Sequence, residues 1–182
     1  MNTCKKCNEW GVVYAKAGIP NLVEVCPECK GTDGTIRFVD TAREIATKAH
    51  AGQYRHDRHG VPTNEAFIHH PKRVSERFDE WPAAQATAWL HDGGEMLPEG
   101  HPRYVNRASL ERLNIPQSVI AAFEAITRGR GEDYLSYIQR VKINRIARAV
   151  KIRDIIDNLA SDPSDSMIDR YAYALNVLVR ED

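Results

Sequence analysis

From Ile36 onward, apolar residues recur every three or four positions, and this helical spacing is what most constrains the fold. The first predicted helix covers about 38–53, with Ala42, Ala46 and Ala49 on one face. Further helices are predicted over about 71–78, 82–92, 116–127, 133–159 and 165–178, with a short one that opens at Asn106 or Ser109. Little of this region alternates with the period of two that half-buried strands require. We therefore expect an all-α helical bundle over residues 35–182.

The charge balance and the absence of long apolar runs limit the classes of function. The chain of 182 residues carries 25 Lys and Arg against 25 Asp and Glu, whereas nucleic-acid binders concentrate excess basic residues, so a nucleic-acid partner is not expected. The first ten residues are polar and charged, without the apolar segment of a secretory signal. The longest apolar stretch, 171–179, is too short to span a bilayer. These features predict a cytoplasmic protein without a membrane partner, and they leave open whether it forms a homo-oligomer.

The first 29 residues contain all the cysteines, as two Cys-x2-Cys pairs: Cys4, Cys7, Cys26 and Cys29. Two such pairs can supply four thiolates to one Zn²⁺ ion in a closed, structural site. The β-prone segments 11–14 and 22–25 lie between the pairs, so residues 1–34 are predicted to form a small zinc ribbon. Two disulfides or four free thiols are the alternatives, and a ribbon that contacts a partner is a further one.

Polar side chains interrupt the apolar faces of two predicted helices. His91 and Asp92 close the alanine-rich third helix, and Asp154 continues an apolar stripe of the sixth. A buried carboxylate costs several kcal/mol unless it is paired or holds a metal. With His70 at the mouth of the second helix, two imidazoles and two carboxylates could hold Mn²⁺, Fe²⁺, Ni²⁺ or Zn²⁺. The alternative is a set of buried polar groups satisfied by helix caps and salt bridges.

The order His70, His91-Asp92, Asp154 resembles the H…HD…D signature of the HD-domain metal-dependent phosphohydrolases. Further segments resemble the hydrolase domain of the RelA/SpoT alarmone enzymes: Ala-His-Ala-Gly-Gln-Tyr-Arg at 49–55, Phe-Ile-His-His-Pro at 67–71, and Val-Lys-Ile-Arg-Asp at 150–154 followed by Asn158. The resemblance covers about residues 38–160 and implies an HD-domain helical bundle over 35–182.

The resemblance also implies roles for individual residues. The ligands of a divalent metal, with Mn²⁺ as the first choice and Fe²⁺, Ni²⁺ or Zn²⁺ as alternatives, would be His70, His91, Asp92 and Asp154. Glu95 matches the glutamate that positions or deprotonates the attacking water, and it would act with Asp92 in catalysis. The implied substrate-binding residues are Arg55 at the base, Asn158 at the sugar or base, Lys151 beside the phosphates or in a structural ion pair, and Arg128 near the phosphates.

Two departures from the family bear on the substrate. Met96 stands where the alarmone enzymes have the aspartate of a Glu-Asp pair. The stretch from Arg55 to His70 is several residues longer than the corresponding link of the family. This longer link could reshape the base pocket, cover the site or be a solvated polar loop.

The resemblance therefore implies a hydrolase of a nucleotide phosphate ester, most similar to a (p)ppGpp 3′-pyrophosphohydrolase. An HD-type 5′-nucleotidase or a deoxynucleotide triphosphohydrolase is the alternative within the class. A non-catalytic nucleotide sensor or a zinc-ribbon adaptor is the alternative from another class.

Overall fold

The computed structural model describes residues 12–14, 23–25, 37–94, 101 and 103–180. The helices in this part of the chain are α1 Arg37–Ala49, α2 His69–Ser75, α3 Pro82–Leu90, α4 Arg107–Arg112, α5 Gln117–Ile126, α6 Tyr134–Ile143, α7 Arg145–Leu159 and α8 Asp165–Val179. The strands are β1 Val12–Tyr14, β2 Val23–Val25, β3 Tyr54–His56 and β4 Pro62–Ala66. The predicted all-α class is confirmed, because the strands in the described part of the chain form only two short antiparallel pairs.

The first strand pair lies in the segment predicted to be a zinc ribbon. β1 and β2 run antiparallel, with Val13 opposite Glu24. These strands agree with the predicted β-prone segments. The four cysteines lie outside the described residues, so the zinc ribbon and the boundary at residue 34 stay predictions.

Helix α3 lies at the centre of the helical domain. Its residues are buried except for Gln85, and α1, α2, α5 and α7 all pack against it. Pro82 occupies the first turn, where its missing N–H costs no hydrogen bond. Alanines at 83, 84, 86 and 88 let the neighbouring helices approach closely. The end of α3 is therefore surrounded by helices, and the next residue, His91, is buried as well.

The predicted helix over 133–159 is wrong in one respect, because it is two helices. Asn144 has an extended backbone, with φ −89° and ψ 110°, and ends α6. Its side chain accepts a hydrogen bond from the Ala147 N–H at 3.0 Å and so caps α7. The apolar periodicity continues across the break, with Val141 and Ile146 both buried. Periodicity alone could not locate this boundary.

The first helix also ends earlier than predicted, at Ala49 instead of about residue 53. The chain turns over the next residues, and Gly52 has a φ of +78°, a conformation that ends a helix and favours glycine. This turn leads directly into β3.

The longer link between Arg55 and His70 contains an antiparallel hairpin, which we call the β3–β4 hairpin (Tyr54–Ala66). Tyr54 pairs with Ala66 and His56 with Pro62, with an irregular register between them. At its tip, the Asp57 carboxylate accepts hydrogen bonds from the N–H groups of His59 and Val61, each at 2.9 Å. Most of its side chains are exposed, so it lacks the apolar alternation by which a strand is recognised.

Helix α8 packs against α6 and α7 and buries Ala174 and Leu178. In residues 37–94 and 103–180, none of the helices combines the length and the apolar character needed to cross a bilayer.

Candidate metal centre

Three elements bring the predicted ligands together. His70 lies in the first turn of α2, His91 and Asp92 directly follow α3, and Asp154 lies in α7. Since α2 and α7 both pack against α3 and against each other, these positions face one point. His70, His91 and Asp154 are only 1–2% exposed.

The turn that carries His91 and Asp92 has little space beside it. A Cβ atom on Gly93 would lie 2.8 Å from Val105 Cγ2 and 3.2 Å from the Leu90 carbonyl oxygen. A larger residue at position 93 would therefore displace the Val105 side chain. The close packing fixes the direction in which α3 delivers its two polar side chains.

Four ligand atoms converge from these elements. His70 Nε2 lies 3.2 Å from His91 Nε2, 3.0 Å from Asp154 Oδ1 and 3.5 Å from Asp92 Oδ2. His91 Nε2 lies 3.2 Å from Asp92 Oδ2 and 3.5 Å from Asp154 Oδ1. The ligand atoms of His70, His91 and Asp92 all lie within 4.8 Å of one another.

The hydrogen bonds of the two Nδ1 atoms indicate the tautomer of both imidazoles. His70 Nδ1 lies 2.8 Å from Asp157 Oδ2, and His91 Nδ1 lies 2.7 Å from the Ala88 carbonyl oxygen. Both partners are acceptors, so each Nδ1 carries the proton and donates it. In a neutral imidazole the Nε2 lone pair then points into the cluster. Two imidazole nitrogens beside carboxylate oxygens are a donor set that fits a divalent metal.

Protons bound by the two histidines can balance the charge of the carboxylates. Burial opposes the charged form of His70, but hydrogen bonds to Asp154 and Asp157 outweigh it and raise the pKa of His70 to about 9. Burial likewise opposes protonation of His91, yet the charges of Asp92 and Asp154 raise its pKa. The cluster thus attracts positive charge strongly.

Lys151 lies on the far side of Asp154. Its Nζ atom is 2.7 Å from Asp154 Oδ2 and 5.6 Å from the centre of the Tyr137 ring. Burial opposes the charge of the lysine, but Asp154 keeps the pKa of Lys151 well above its usual range. Burial also opposes the charge of Asp154, and Lys151 and His70 together keep the pKa of that carboxyl well below its usual range. The ion pair left open by the sequence is present, and a phosphate contact stays a prediction.

Arg55 and Asn158 are joined to each other and to the cluster. Arg55 Nη2 donates to Asn158 Oδ1 at 2.9 Å, and Asn158 Nδ2 donates to Asp154 Oδ1 at 2.6 Å. The Arg55 guanidinium carbon lies 5.8 Å from the centre of the Phe67 ring. Two residues predicted to bind substrate therefore lie next to the candidate metal centre, and both are partly exposed.

Arg128 lies in the loop between α5 and α6. Its guanidinium donates to the Glu132 carbonyl oxygen, with Nη2 at 2.6 Å. The guanidinium carbons of Arg128 and Arg170 each lie 5.6 Å from the centre of the Tyr134 ring. Tyr134 Oη is buried and has no hydrogen-bond partner among the described residues. Burial raises the pKa of Tyr134 and outweighs the neighbouring charge of Lys151, which would lower it.

Sequence reasoning missed two residues of the site, Asp157 and Arg73. Asp157 accepts from His70, and Arg73 donates to Asp157 through Nε at 2.7 Å and Nη2 at 2.9 Å. The signal was present in the spacing, because Asp157 follows Asp154 by one helical turn and Arg73 follows His70 by one turn.

Two further histidines, His50 and His69, lie in the segments that resemble the alarmone hydrolases. His50 is buried, stacks on Phe67 with ring centres 4.7 Å apart, and hydrogen-bonds through Nδ1 to Gln53 Oε1 at 2.8 Å. Burial lowers the pKa of His50. His69 is exposed. Glu95, the predicted catalytic glutamate, and Met96 lie outside the described residues.

The helices around α3, with the four converging side chains at its end, make this an HD-domain helical bundle. The fold is shared with a solved structure of a metazoan ortholog of SpoT, which is described as hydrolysing ppGpp and playing a role in starvation responses. The two structures align with a TM-score of 0.59 and 18% sequence identity, over 78% of this chain and 85% of the other. No family model matches the sequence, and no curated protein does.

Proposed function

We propose that the protein is a metal-dependent phosphohydrolase that releases pyrophosphate from the 3′ position of ppGpp or a closely related nucleotide. The observation that carries the proposal is the convergence of His70, His91, Asp92 and Asp154, with the Nε2 atoms of both histidines directed inward. The choice of substrate is supported by the resemblance of segments 49–55, 67–71 and 150–158 to the alarmone hydrolases. It is further supported by the activity described for the metazoan SpoT ortholog.

The proposed reaction is a hydrolysis in which the bond between phosphorus and the 3′ oxygen breaks. A divalent ion such as Mn²⁺, held by the four ligands, would lower the pKa of a water molecule and polarise a phosphoryl oxygen. Glu95 is proposed to take the proton of the attacking water. The water oxygen bonds to phosphorus as the 3′ oxygen of the nucleotide leaves and receives the proton from Glu95, and pyrophosphate is released as the product.

The surrounding residues are proposed to bind and orient the nucleotide. Arg55 offers a flat cation for stacking on a base, and Asn158 offers an amide beside it. Lys151 and Arg128 are proposed to neutralise phosphate charge that develops during the reaction. In support, Arg55 and Lys151 reach Asp154 from two sides, Arg55 through Asn158 and Lys151 directly.

A second candidate within the class is a 5′-nucleotidase or a deoxynucleotide triphosphohydrolase. It is favoured by the β3–β4 hairpin, which carries Arg55 and replaces a shorter link of the alarmone enzymes. Met96 favours it too, since the second acidic residue of the Glu-Asp pair is missing from the sequence.

A turnover screen with Mn²⁺ tests the proposal. The substrates are ppGpp, deoxynucleoside triphosphates and nucleoside monophosphates, and the release of pyrophosphate, triphosphate and orthophosphate is measured separately. We expect pyrophosphate from ppGpp. Triphosphate or orthophosphate from the other nucleotides would replace this function by the second candidate. Nucleotide binding without any turnover, unchanged in Glu95→Gln, would identify a non-catalytic sensor.

A further inference from the structure

Four charged side chains form a continuous series from the β3–β4 hairpin to the candidate metal centre. Glu65 on β4 accepts from Arg73 Nη1 at 2.5 Å. Arg73 then donates through Nε and Nη2 to the two oxygens of Asp157, at 2.7 and 2.9 Å. Asp157 Oδ2 in turn lies 2.8 Å from His70 Nδ1. The series ends at His70, whose other nitrogen belongs to the ligand cluster.

The helical spacing explains how one carboxylate serves two donors. Arg73 lies one turn after His70 on α2, so both side chains reach toward α7, where Asp157 projects. Asp157 thereby accepts three hydrogen bonds, and its side chain is only 15% exposed. Burial opposes its charge, but His70 and Arg73 outweigh burial and hold the pKa of Asp157 far below its usual range.

We propose that Asp157 is a positioning residue for the metal ligand His70. Arg73 and Glu65 link the position of Asp157 to the β3–β4 hairpin. As an anion that accepts the Nδ1 proton, Asp157 fixes the tautomer and ring orientation of His70. It also makes Nε2 a stronger ligand. Arg73 holds the carboxylate in place through a two-point contact. Glu65 lies on the hairpin that bears Arg55, and it links this hairpin to Arg73.

The two histidines of the cluster differ in the acceptor that Nδ1 faces. His91 Nδ1 donates to the neutral Ala88 carbonyl, whereas His70 Nδ1 faces a carboxylate. An ion pair that only joined α2 to α7 would need Arg73 and Asp157 alone. The sharing of Asp157 Oδ2 between Arg73 and His70 assigns the pair a role at the metal centre.

The test measures metal affinity without substrate. The full-length protein is freed of metal and given one equivalent of Zn²⁺, which the four soft cysteine thiolates would take up. Co²⁺ is then titrated, so that its visible absorption reports on the histidine and aspartate cluster and gives the dissociation constant. Asp157→Asn keeps the size of the side chain and an acceptor oxygen but removes the charge. We expect its dissociation constant for Co²⁺ to rise by about 10–100-fold. Arg73→Met leaves the carboxylate in place, so a smaller rise, about threefold to tenfold, is expected.

Asp162→Asn is the matched control. Asp162 pairs with Arg58 of the same hairpin, at 2.5 Å, but the pair is largely exposed and includes none of the candidate ligands. Asparagine also tolerates the positive φ of 54° at this position. We expect the same Co²⁺ affinity and absorption spectrum as wild type.

A folded Asp157→Asn variant, judged by far-UV circular dichroism, that binds Co²⁺ as tightly as wild type would overturn the inference. If that variant does not fold, Arg73→Met decides, and wild-type affinity there would overturn the inference equally. The inference rests on the metal site of the proposed function but not on its substrate. If the variants bind Co²⁺ more weakly as expected and wild type hydrolyses no nucleotide, the proposed function alone is contradicted.

Discussion

Arg55 is proposed to hold the base of a nucleotide at the candidate site. It is half-buried, it donates to Asn158, and its guanidinium lies near the Phe67 ring. It is separated from the four ligands by Asn158, so its contact with substrate should be equally strong before and during the reaction.

Arg55→Ala is therefore expected to raise KM by about tenfold or more, the equivalent of one charge-assisted hydrogen bond, and to leave kcat within about twofold. Steady-state kinetics on the hydrolysed nucleotide measure both constants. Arg58→Ala is the control, because Arg58 lies on the same hairpin and pairs with the exposed Asp162. A matching rise of KM in Arg58→Ala, or a fall of kcat alone in Arg55→Ala, would contradict this role.

At the residue scale, the sequence indicated His91, Asp92 and Asp154 as polar groups at apolar helix faces. His70 was added from its place at the mouth of a helix and from the family resemblance. His91 follows an alanine-rich run, and Asp154 interrupts an apolar stripe. Asp157 and Arg73 lie where exposed charges are ordinary, so only their spacing of one helical turn from Asp154 and His70 distinguishes them. The acceptor of His91 is a backbone carbonyl, which no residue type can reveal.

At the scale of elements, the boundary between α6 and α7 depends on one side chain. Asn144 accepts a hydrogen bond from the Ala147 N–H and has a non-helical backbone. The loss of such a cap costs about 1 kcal/mol of stability.

Asn144→Ala is expected to lower the free energy of unfolding by about 1 kcal/mol, measured by urea denaturation. Asp133→Ala is the matched control, since Asp133 caps α6 through the Ser136 N–H at 3.0 Å and should lose a similar amount. In one continuous helix, alanine would be the better residue at position 144. An increase in stability of Asn144→Ala would thus favour the continuous helix over the break.

The elements that the sequence predicted well are those whose apolar face is buried. The predicted ranges for α3, α5 and α8 agree with the structure to within about two residues, the usual uncertainty of helix ends. The β3–β4 hairpin was not predicted, because it is held by a tip carboxylate and by ion pairs from α2 and from the loop between α7 and α8. Such contacts between distant residues leave no periodic pattern in the sequence.

At the scale of the whole molecule, the chain is predicted to bind metal at two chemically different places. The four cysteines offer soft thiolates, which favour Zn²⁺, whereas the candidate centre in the helical domain offers imidazole and carboxylate. The β1–β2 pair is the part of the predicted ribbon that the described residues include.

The double variant Cys4→Ser, Cys7→Ser is expected to lose about one tightly bound zinc per chain, because two thiolates cannot complete a tetrahedral site. Elemental analysis of the purified protein measures this loss. Co²⁺ binding to the histidine and aspartate cluster should be unchanged. Equal zinc content in the variant and wild type would contradict the ribbon, as would disulfides found by mass spectrometry of the wild type.

The most direct test of the account is whether turnover depends on a metal held by Asp154. Wild type and Asp154→Asn are treated with a chelator, and Mn²⁺ is then returned while pyrophosphate release from ppGpp is followed. We expect wild type to stop after chelation and to recover with Mn²⁺, and Asp154→Asn to stay inactive while circular dichroism shows a helical fold. Turnover that survives chelation, or wild-type turnover by Asp154→Asn, would contradict the account.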